Sequence, residues 1–356
     1  MTLETYGWTE YFSEAFASFR EQGLVAARVT MSNRGRYLLQ TANGEIEATV
    51  SGRLRHDATG SAELPAVGDW VAAKLAEGDT SAIIHEVIPR KTRISRNVAG
   101  GKTEEQIVAA NVDTVFLVMG LDGDFNLRRM ERLLATAWES GALPVVVLNK
   151  ADVPEDADGM RREVERIAPG VPVLSLSARE DRGMDQLSPY LNRGETVVLI
   201  GSSGVGKSTL INRLLGRDAM RTAEVRESDD RGRHTTTHRQ MFELPGGGLL
   251  IDNPGVREVQ LWSSDGALGD TFGEIEALAE RCKFGDCGHA NEPGCAVLSA
   301  VEAGEIEEER LESYRKLQRE LEYLEIRQDE GAERAERKKW KSIKKASKQM
   351  KRQREK

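Results

Sequence analysis

Apolar and aromatic residues at Trp8, Tyr11, Phe12, Ala15, Phe16 and Phe19 recur at steps of three and four, the spacing of one helical face. An amphipathic helix therefore opens the chain within residues 1–23, and its stripe is expected to pack on the protein's own body. From about Leu24 to Ser95 the period shortens. Ala26 to Met31, Tyr37 to Gln40, Glu45 to Val50, Trp70 to Leu75 and Ile83 to Val87 read as short strands, parted by turns at Asn33 to Gly35, Asn43-Gly44 and Gly68-Asp69. Five such strands in residues 24–95 predict a small OB-like β-barrel. Its strands and loops bring Arg28, Arg34, Arg36, Tyr37, Arg53 and Arg55 as candidate RNA contacts, with a barrel that is only a spacer as the competing reading.

A turn-rich stretch from Ser95 to Thr103 reads as a linker, bounded as 96–106, and beyond it the pattern changes again. Val112 to Met119, Leu143 to Leu148, Val171 to Leu176, Thr196 to Ile200 and Gly248 to Ile251 have the continuous apolar character of buried strands. Asn126 to Ser140, Asp158 to Ile167, Met184 to Leu191 and Lys207 to Leu215 carry helical periodicity between them. Alternating β and α elements over residues 107–262 predict an α/β domain with a mainly parallel, doubly wound sheet. After Trp262 the chain turns helical, through a cysteine cluster and the long charged segment Glu302 to Arg327. The expected organisation is thus multidomain, with a helical module at 263–330 and a tail at 331–356.

Length and charge refine this picture. The chain has 356 residues, enough for two or three domains, and 39% hydrophobic residues supply at least one substantial core. The formal charge of −8 looks unfavourable for nucleic acid, but it is an average of opposites. Residues 331–356 hold twelve Lys and Arg against three acids, a net of +9, which leaves −17 on the first 330 residues. Such a run is either a solvated tail or a basic arm that neutralises phosphates. No window has the run of apolar residues a membrane span needs, and the N-terminal residues have neither a basic leader nor an apolar core. A soluble, cytoplasmic protein without membrane contact is expected.

The chemistry is concentrated in the α/β region. Gly201, Ser202, Ser203, Gly204, Val205, Gly206, Lys207 and Ser208 fit GxxxxGK(S/T), between the strand TVVLI and the helix STLINRLL that begins with Ser208 and Thr209. Backbone N–H groups of 204–209 can curl around phosphate oxygens at a positive helix terminus, with Lys207 reaching the β and γ phosphates and Ser208 holding Mg2+. Asn149, Lys150, Ala151 and Asp152 end another apolar strand, the position from which a doubly wound sheet presents ligand-binding residues. Asp152 can accept from N1–H and the 2-amino group of guanine, a donor pair adenine lacks, while Asn149 tethers loops and the Lys150 stem covers the ring. Ser177 and Ala178, in SLSA after the next strand, resemble a loop that backs the base. In LLIDNPG, Asp252 can orient Mg2+ through water and the Gly255 N–H can sense the γ phosphate. The polar stretch Asp218 to Arg239, with Thr235, Thr236 and Thr237 near its end, has the character of a loop ordered by Mg2+ and γ phosphate; one of these three Thr hydroxyls, with Thr236 as the candidate, is expected to ligate Mg2+. An ATP-dependent kinase or transferase is one rival reading, against which NKAD and SLSA argue; a metal-containing RNA-binding module in which the nucleotide only stabilises the fold is the other.

Cys282, Cys287, His289 and Cys295 form C-x4-C-x-H-x5-C on a stretch rich in Gly and Pro. Three thiolates and an imidazole favour one tetrahedral, closed, structural Zn2+ over a disulfide framework, for which three clustered cysteines are a poor basis.

The order of the motifs is unusual. NKAD and SLSA precede the phosphate loop, the Thr run and DNPG, whereas the common GTPase order begins with the phosphate loop, so the domain is a circularly permuted P-loop GTPase domain. Together with the N-terminal barrel, Gly232-Arg-His-Thr-Thr-Thr237 and the Cys/His cluster, this order closely resembles the bacterial ribosome-small-subunit-dependent GTPase family known as RsgA or YjeQ, over about residues 24–330. The resemblance implies hydrolysis of GTP to GDP and phosphate by a factor that binds the small (30S) ribosomal subunit and its rRNA late in assembly. Stimulation by the subunit and release on hydrolysis follow from it, and docking on one asymmetric particle makes a monomer the expected state. Val256 stands where many GTPases carry a water-orienting Gln; His234, which matches the family's His before the Thr run, is the candidate for that role beside Lys207.

Overall fold

The amphipathic opening segment forms α1 (Glu10–Glu21), which buries Phe12 and Phe16. Trp8, just before it, meets the fully buried Trp70 edge-on at 4.6 Å between ring centroids, and Phe12 lies 5.8 Å from the same ring. The helix thus packs on its own chain, as the spacing predicts. A computed structural model provides these coordinates and describes residues 2–76, 78, 80–97, 105–218, 239–252, 267–324 and 326.

β1 (Val25–Asn33), β2 (Arg36–Thr41), β3 (Gly44–Val50), β4 (Trp70–Leu75) and β5 (Ala82–Val87) close into a barrel. Neighbours are antiparallel except for β3 and β5, and β4 returns to pair with β1. Ala27, Val29, Leu39, Ala73 and Ile84 fill its interior. The turn between β1 and β2 places Arg34 and Gly35 at φ +47° and +83°, the paired left-handed conformations that suit a tight hairpin. A short helix absent from the sequence reading, α2 (Gly52–Asp57), is capped by the Ser51 hydroxyl, which accepts from Leu54 N–H at 3.0 Å. Arg34, Arg36, Arg53 and Arg55 are exposed around this end of the barrel. Arg28 and Tyr37 are not part of that surface: they are only 1% and 7% exposed, so their expected role in RNA contact is corrected.

The expected linker also differs. Its start and end belong to an antiparallel hairpin of β6 (Arg93–Asn97) and β7 (Glu105–Ala110), with residues 98–104 outside the described residues. β6 is polar apart from Ile94, and turn residues follow it, which hid the pairing from periodicity.

The α/β region contains β8 (Thr114–Gly120), α3 (Leu127–Ser140), β9 (Leu143–Asn149), α4 (Ala157–Ile167), β10 (Val173–Ser175), β11 (Thr196–Ile200), α5 (Lys207–Leu215), β12 (Arg239–Glu243) and β13 (Leu249–Asp252). Met184–Tyr190 is helical as expected but of the 3-10 type, and in an α-helix the ring of its Pro189 would clash with the Asp185 carbonyl four residues earlier. The sheet order is β10-β9-β8-β11-β13-β12, parallel except for β12. The chain steps outward from β8 to β10, returns beside β8 as β11, and continues the other way. That reversal between β8 and β11 is the switch point where an open α/β sheet leaves a crevice at its carboxyl ends. Every residue of β8 is buried. Val115, Leu117 and Met119 face α3 through Met130 and Leu134, while Phe116 and Val118 join Leu210 and Ile211 of α5 on the opposite face.

β12, which the sequence reading did not separate from the polar loop before it, pairs with β13 on one side and with β1 of the barrel on the other, Met31 opposite Gln240. Barrel and α/β strands therefore form one 11-stranded sheet. The C-terminal helices Ala267–Thr271, Gly273–Ala279, Ala296–Glu302 and the helix over 308–324 gather Phe272, Ile275, Val297, Leu311, Tyr314, Leu317 and Leu321 into a core that also takes in Ala135 of α3. Among the described residues no helix is long and apolar enough to cross a membrane.

Candidate functional site

The phosphate-loop residues leave the end of β11 at the switch point and run into α5, as the spacing predicts. Ser203 and Gly204 are exposed at the crest, and Val205 is anchored in the core. Gly201 has no room for a side chain, since a Cβ there would lie 2.1 Å from the Val118 carbonyl oxygen of β8. Lys207 folds back along the loop, donating from Nζ to the Gly201 and Ser202 carbonyls at 2.6 and 2.5 Å. Ser208 and Thr209 follow in the first turn of α5. Asp252 ends β13 on the other side of β11, and burial pushes its carboxyl up to about 6 while Lys207 opposes that shift.

Asn149, the last residue of β9, is 3% exposed and connects three segments. Its Nδ2 donates to the Val205 carbonyl in the phosphate loop at 2.8 Å, and its Oδ1 accepts from Ala178 N–H at 3.0 Å. The loops expected at the base end and the phosphate end are thereby fixed to one side chain. Ala151 N–H donates to the Leu176 carbonyl at 3.1 Å, holding NKAD against SLSA. Ser177 is fully buried and exchanges backbone hydrogen bonds with Arg182. Its hydroxyl, hydrogen-bonded to the Asp152 carboxylate, holds that group below its usual range, so Asp152 is ionised at neutral pH. Asp152 Oδ1 is shielded from solvent and has no hydrogen-bond partner among the described residues. An ionised oxygen left in that state can accept from a ligand's N–H groups.

Three participants, Asp122, Asp124 and Arg129, were not apparent from the sequence. Lys150, at φ +62°, pairs through Nζ with Asp122 Oδ2 at 2.6 Å. Burial alone would raise the Asp122 carboxyl, but bonds from Lys150 and the Asp124 N–H outweigh it and hold it below the ordinary range. Arg129, in the first turn of α3, reaches Ser202 Oγ at 2.8 Å and pairs with Asp124. The available signal was positional: Asp122 and Asp124 follow β8, at the carboxyl edge of the sheet where the ligand crevice lies. His234, Thr235, Thr236, Thr237 and Gly255 lie outside the described residues, as does the tail 331–356.

Cys282, Cys287, His289 and Cys295 converge, with their ligand atoms all within 4.8 Å of one another. Cys282 and Cys295 sulfurs are 3.8 Å apart, and His289 Nδ1 is 3.6 and 3.4 Å from them. A tetrahedral ion with metal–sulfur bonds of about 2.3 Å requires an S–S edge of about 3.8 Å and an S–N edge of about 3.6 Å, so the residues fit such an ion. The Leu298 N–H donates to the Cys295 sulfur at 3.4 Å, and Glu292 gathers the N–H groups of Gly288, Ala290 and Asn291, which shapes the loop carrying His289. The four residues can hold a metal ion.

Comparison with known proteins places this geometry in context. The sequence profile of the RsgA GTPase family matches residues 87–262. Small ribosomal subunit biogenesis GTPase RsgA of Opitutus terrae is 50% identical over 352 residues, covering 96% of this chain and 96% of its own length. RsgA 1 of Oceanobacillus iheyensis is 49% identical over 89% of this chain and 91% of its own. Among solved structures, YjeQ from Thermotoga maritima superposes with a TM-score of 0.62 at 27% identity, covering 84% of this chain and 98% of that one. YloQ, described as a circularly permuted GTPase, gives 0.60 at 25% identity over 84% and 95%. With the permuted motif order, the barrel and the Cys/His cluster all present, the chain belongs to the RsgA GTPase family.

Proposed function

We propose that this chain hydrolyses GTP to GDP and phosphate and acts as a late maturation factor of the small ribosomal subunit, bound to the subunit in the GTP state and released on hydrolysis. The observation that carries the nucleotide assignment is the Asn149 bridge between Val205 and Ala178, together with an Asp152 Oδ1 that has no hydrogen-bond partner among the described residues. Asp152 accepts from guanine N1–H and the 2-amino group. Asn149, Ala151, Ser177 and Ala178 frame the base, and the Lys150 stem covers it. The loop Gly201 to Thr209 wraps the phosphates, Lys207 turning from its loop carbonyls toward the β and γ oxygens. Ser208 and Asp252, with a Thr of 235–237, would hold Mg2+, which supplies charge neutralisation. Gly255 reads the γ phosphate. His234 orients the attacking water, since Val256 cannot, so intrinsic turnover is slow and the subunit stimulates it.

Asp152→Asn tests the base assignment. The amide presents a donor where guanine also presents one, so binding is expected to shift toward xanthine nucleotides by at least about tenfold relative to guanine. Displacement of a fluorescent nucleotide reads this; an unchanged preference removes Asp152 from base recognition.

In the same reading the metal is one structural zinc per chain. It stabilises a small helical module built around Phe272, Ile275, Val297, Leu311 and Tyr314, and binding free energy there is folding free energy. Purified protein should contain about one zinc per chain by elemental analysis. Cys282→Ala or a chelator should lower the module's melting temperature by at least about 10 °C. Absence of zinc together with an unshifted Cys282→Ala melt contradicts the assignment.

The exposed Arg34, Arg36, Arg53 and Arg55 form a basic end of the barrel suited to rRNA phosphates, and the +9 tail adds a second basic element. The expected state is a cytoplasmic monomer that docks on one particle.

A further inference from the structure

Ser202, the second residue of the phosphate loop, is held by two cations from different parts of the chain. Lys207 Nζ contacts its carbonyl at 2.5 Å, and Arg129 donates from the same guanidinium nitrogen to its hydroxyl at 2.8 Å and to Asp124. Lys207 is the group that must move when phosphates arrive; the Arg129 bond does not depend on that movement. Arg129 is also well seated. Asn126 caps its helix by accepting the Arg129 N–H at 2.9 Å, and α3 is fastened on another face to the C-terminal module by Arg128–Glu312, Glu131–Arg310 and Arg132–Glu320. The Glu131–Arg310 pair is 4% and 10% exposed and closes at 2.8 Å. A helix tied down in this way holds the Arg129 backbone still relative to the loop.

We propose that Arg129 is a positioning residue of the phosphate loop, holding Ser202 so that the loop's first half is set for the terminal phosphate. This rests on the nucleotide reading above. Asn149 joins the base loop at Ala178 to the phosphate loop at Val205, so the phosphate chain extends away from the base end, toward Lys207 and Asp252. Ser202 lies on the earlier half of the loop, and the guanidinium there adds positive charge toward the outermost phosphate. A triphosphate presents more charge to it than a diphosphate, so the contact discriminates between the two. Arg129 and Asp124 are 41% and 24% exposed, so their pairing adds little to stability and Arg129 variants should fold.

The test uses the full chain with fluorescent GDP and a fluorescent non-hydrolysable GTP analogue. Binding of both by the parent protein tests the nucleotide reading; the ratio of variant to parent tests the role of Arg129. Arg129→Ala is expected to weaken the triphosphate analogue about tenfold and GDP less than about threefold. Arg129→Lys, which keeps the charge, should recover most of that loss. Single-turnover hydrolysis by Arg129→Ala should slow even when GTP is saturating. Equal weakening of both nucleotides, as general loosening of the loop would produce, overturns the proposal, and so does no weakening of either.

Discussion

Gly206→Ala is expected to reduce GTP and GDP affinity by more than about 100-fold while leaving the protein folded. Gly206 is the N-cap of α5 and sits at φ +94°, in the left-handed region that suits glycine. A Cβ there would lie 2.2 Å from Asn149 Nδ2. That nitrogen is the donor to Val205, and the same amide accepts from Ala178 N–H, so displacing it breaks the bond to the phosphate loop and disturbs the bond to the base loop together. Gly204→Ala is the control. It has comparable backbone strain at φ +89° but nothing within 4 Å of its Cβ, so any excess loss in Gly206→Ala measures the Asn149 bridge. Titration with a fluorescent guanine nucleotide decides it: affinities within about threefold of each other for the two variants show that the bridge contributes nothing.

The second large effect concerns folding. Arg28→Met is expected to destabilise the protein by about 2–4 kcal/mol, read as a fall in the midpoint of urea unfolding. The Arg28 guanidinium is enclosed between three segments. It donates to the Tyr6 carbonyl before α1, to the Gly68 carbonyl before β4 at 3.2 Å, and to the Asn111 carbonyl before β8 at 2.9 Å. Burial lowers its pKa to about 10, still charged at neutral pH, with Asp113 and Asp69 partly compensating. Removing the charge relieves a desolvation cost, which favours the variant. Against that, Gly68 O keeps a bond from Asn111 Nδ2 at 3.0 Å, but the Tyr6 and Asn111 carbonyls lose the arginine. Two orphaned buried acceptors cost about 1–3 kcal/mol each, which outweighs the relief. A midpoint unchanged in Arg28→Met would mean that water replaces the guanidinium without loss.

Arg28 also marks the limit of reading this chain by pattern. On β1, Ala27 and Val29 face the barrel interior, so alternation places Arg28 outside, and an outward arginine on a small barrel reads as a surface contact. The outside of β1 at that position is the junction with the opening segment and the α/β region, a feature of tertiary packing that no local spacing encodes. β12 was missed for a related reason. Its sequence, RQMFE, buries only Met241, and it is a strand because β13 and β1 offer ladders on both sides. By contrast, the barrel strands, the phosphate loop, NKAD and the Cys/His cluster were legible, since each depends on short-range spacing: alternation, a glycine turn before a helix, or ligands within 14 residues. Between these extremes stand Asp122 and Arg129. Their helix and strand were readable, but their partners Lys150 and Ser202 are 28 and 73 positions away.

The permuted order has a structural consequence that the sheet makes concrete. The switch point lies between β8 and β11, which carries the phosphate loop, so elements distant in sequence flank the crevice. α3 follows β8 directly and carries both the Arg129 contact to the loop and the acid–base links to the C-terminal module. In this arrangement the nucleotide crevice and the metal-binding module share one helix as a common support.

Phosphate release from GTP, titrated with purified small ribosomal subunits and, separately, large subunits, tests most directly whether the small subunit switches hydrolysis at this site. Turnover should be slow alone, rise and saturate with small subunits, and stay flat with large ones. Equal rates under all three conditions, or equal stimulation by both subunits, would contradict that switching.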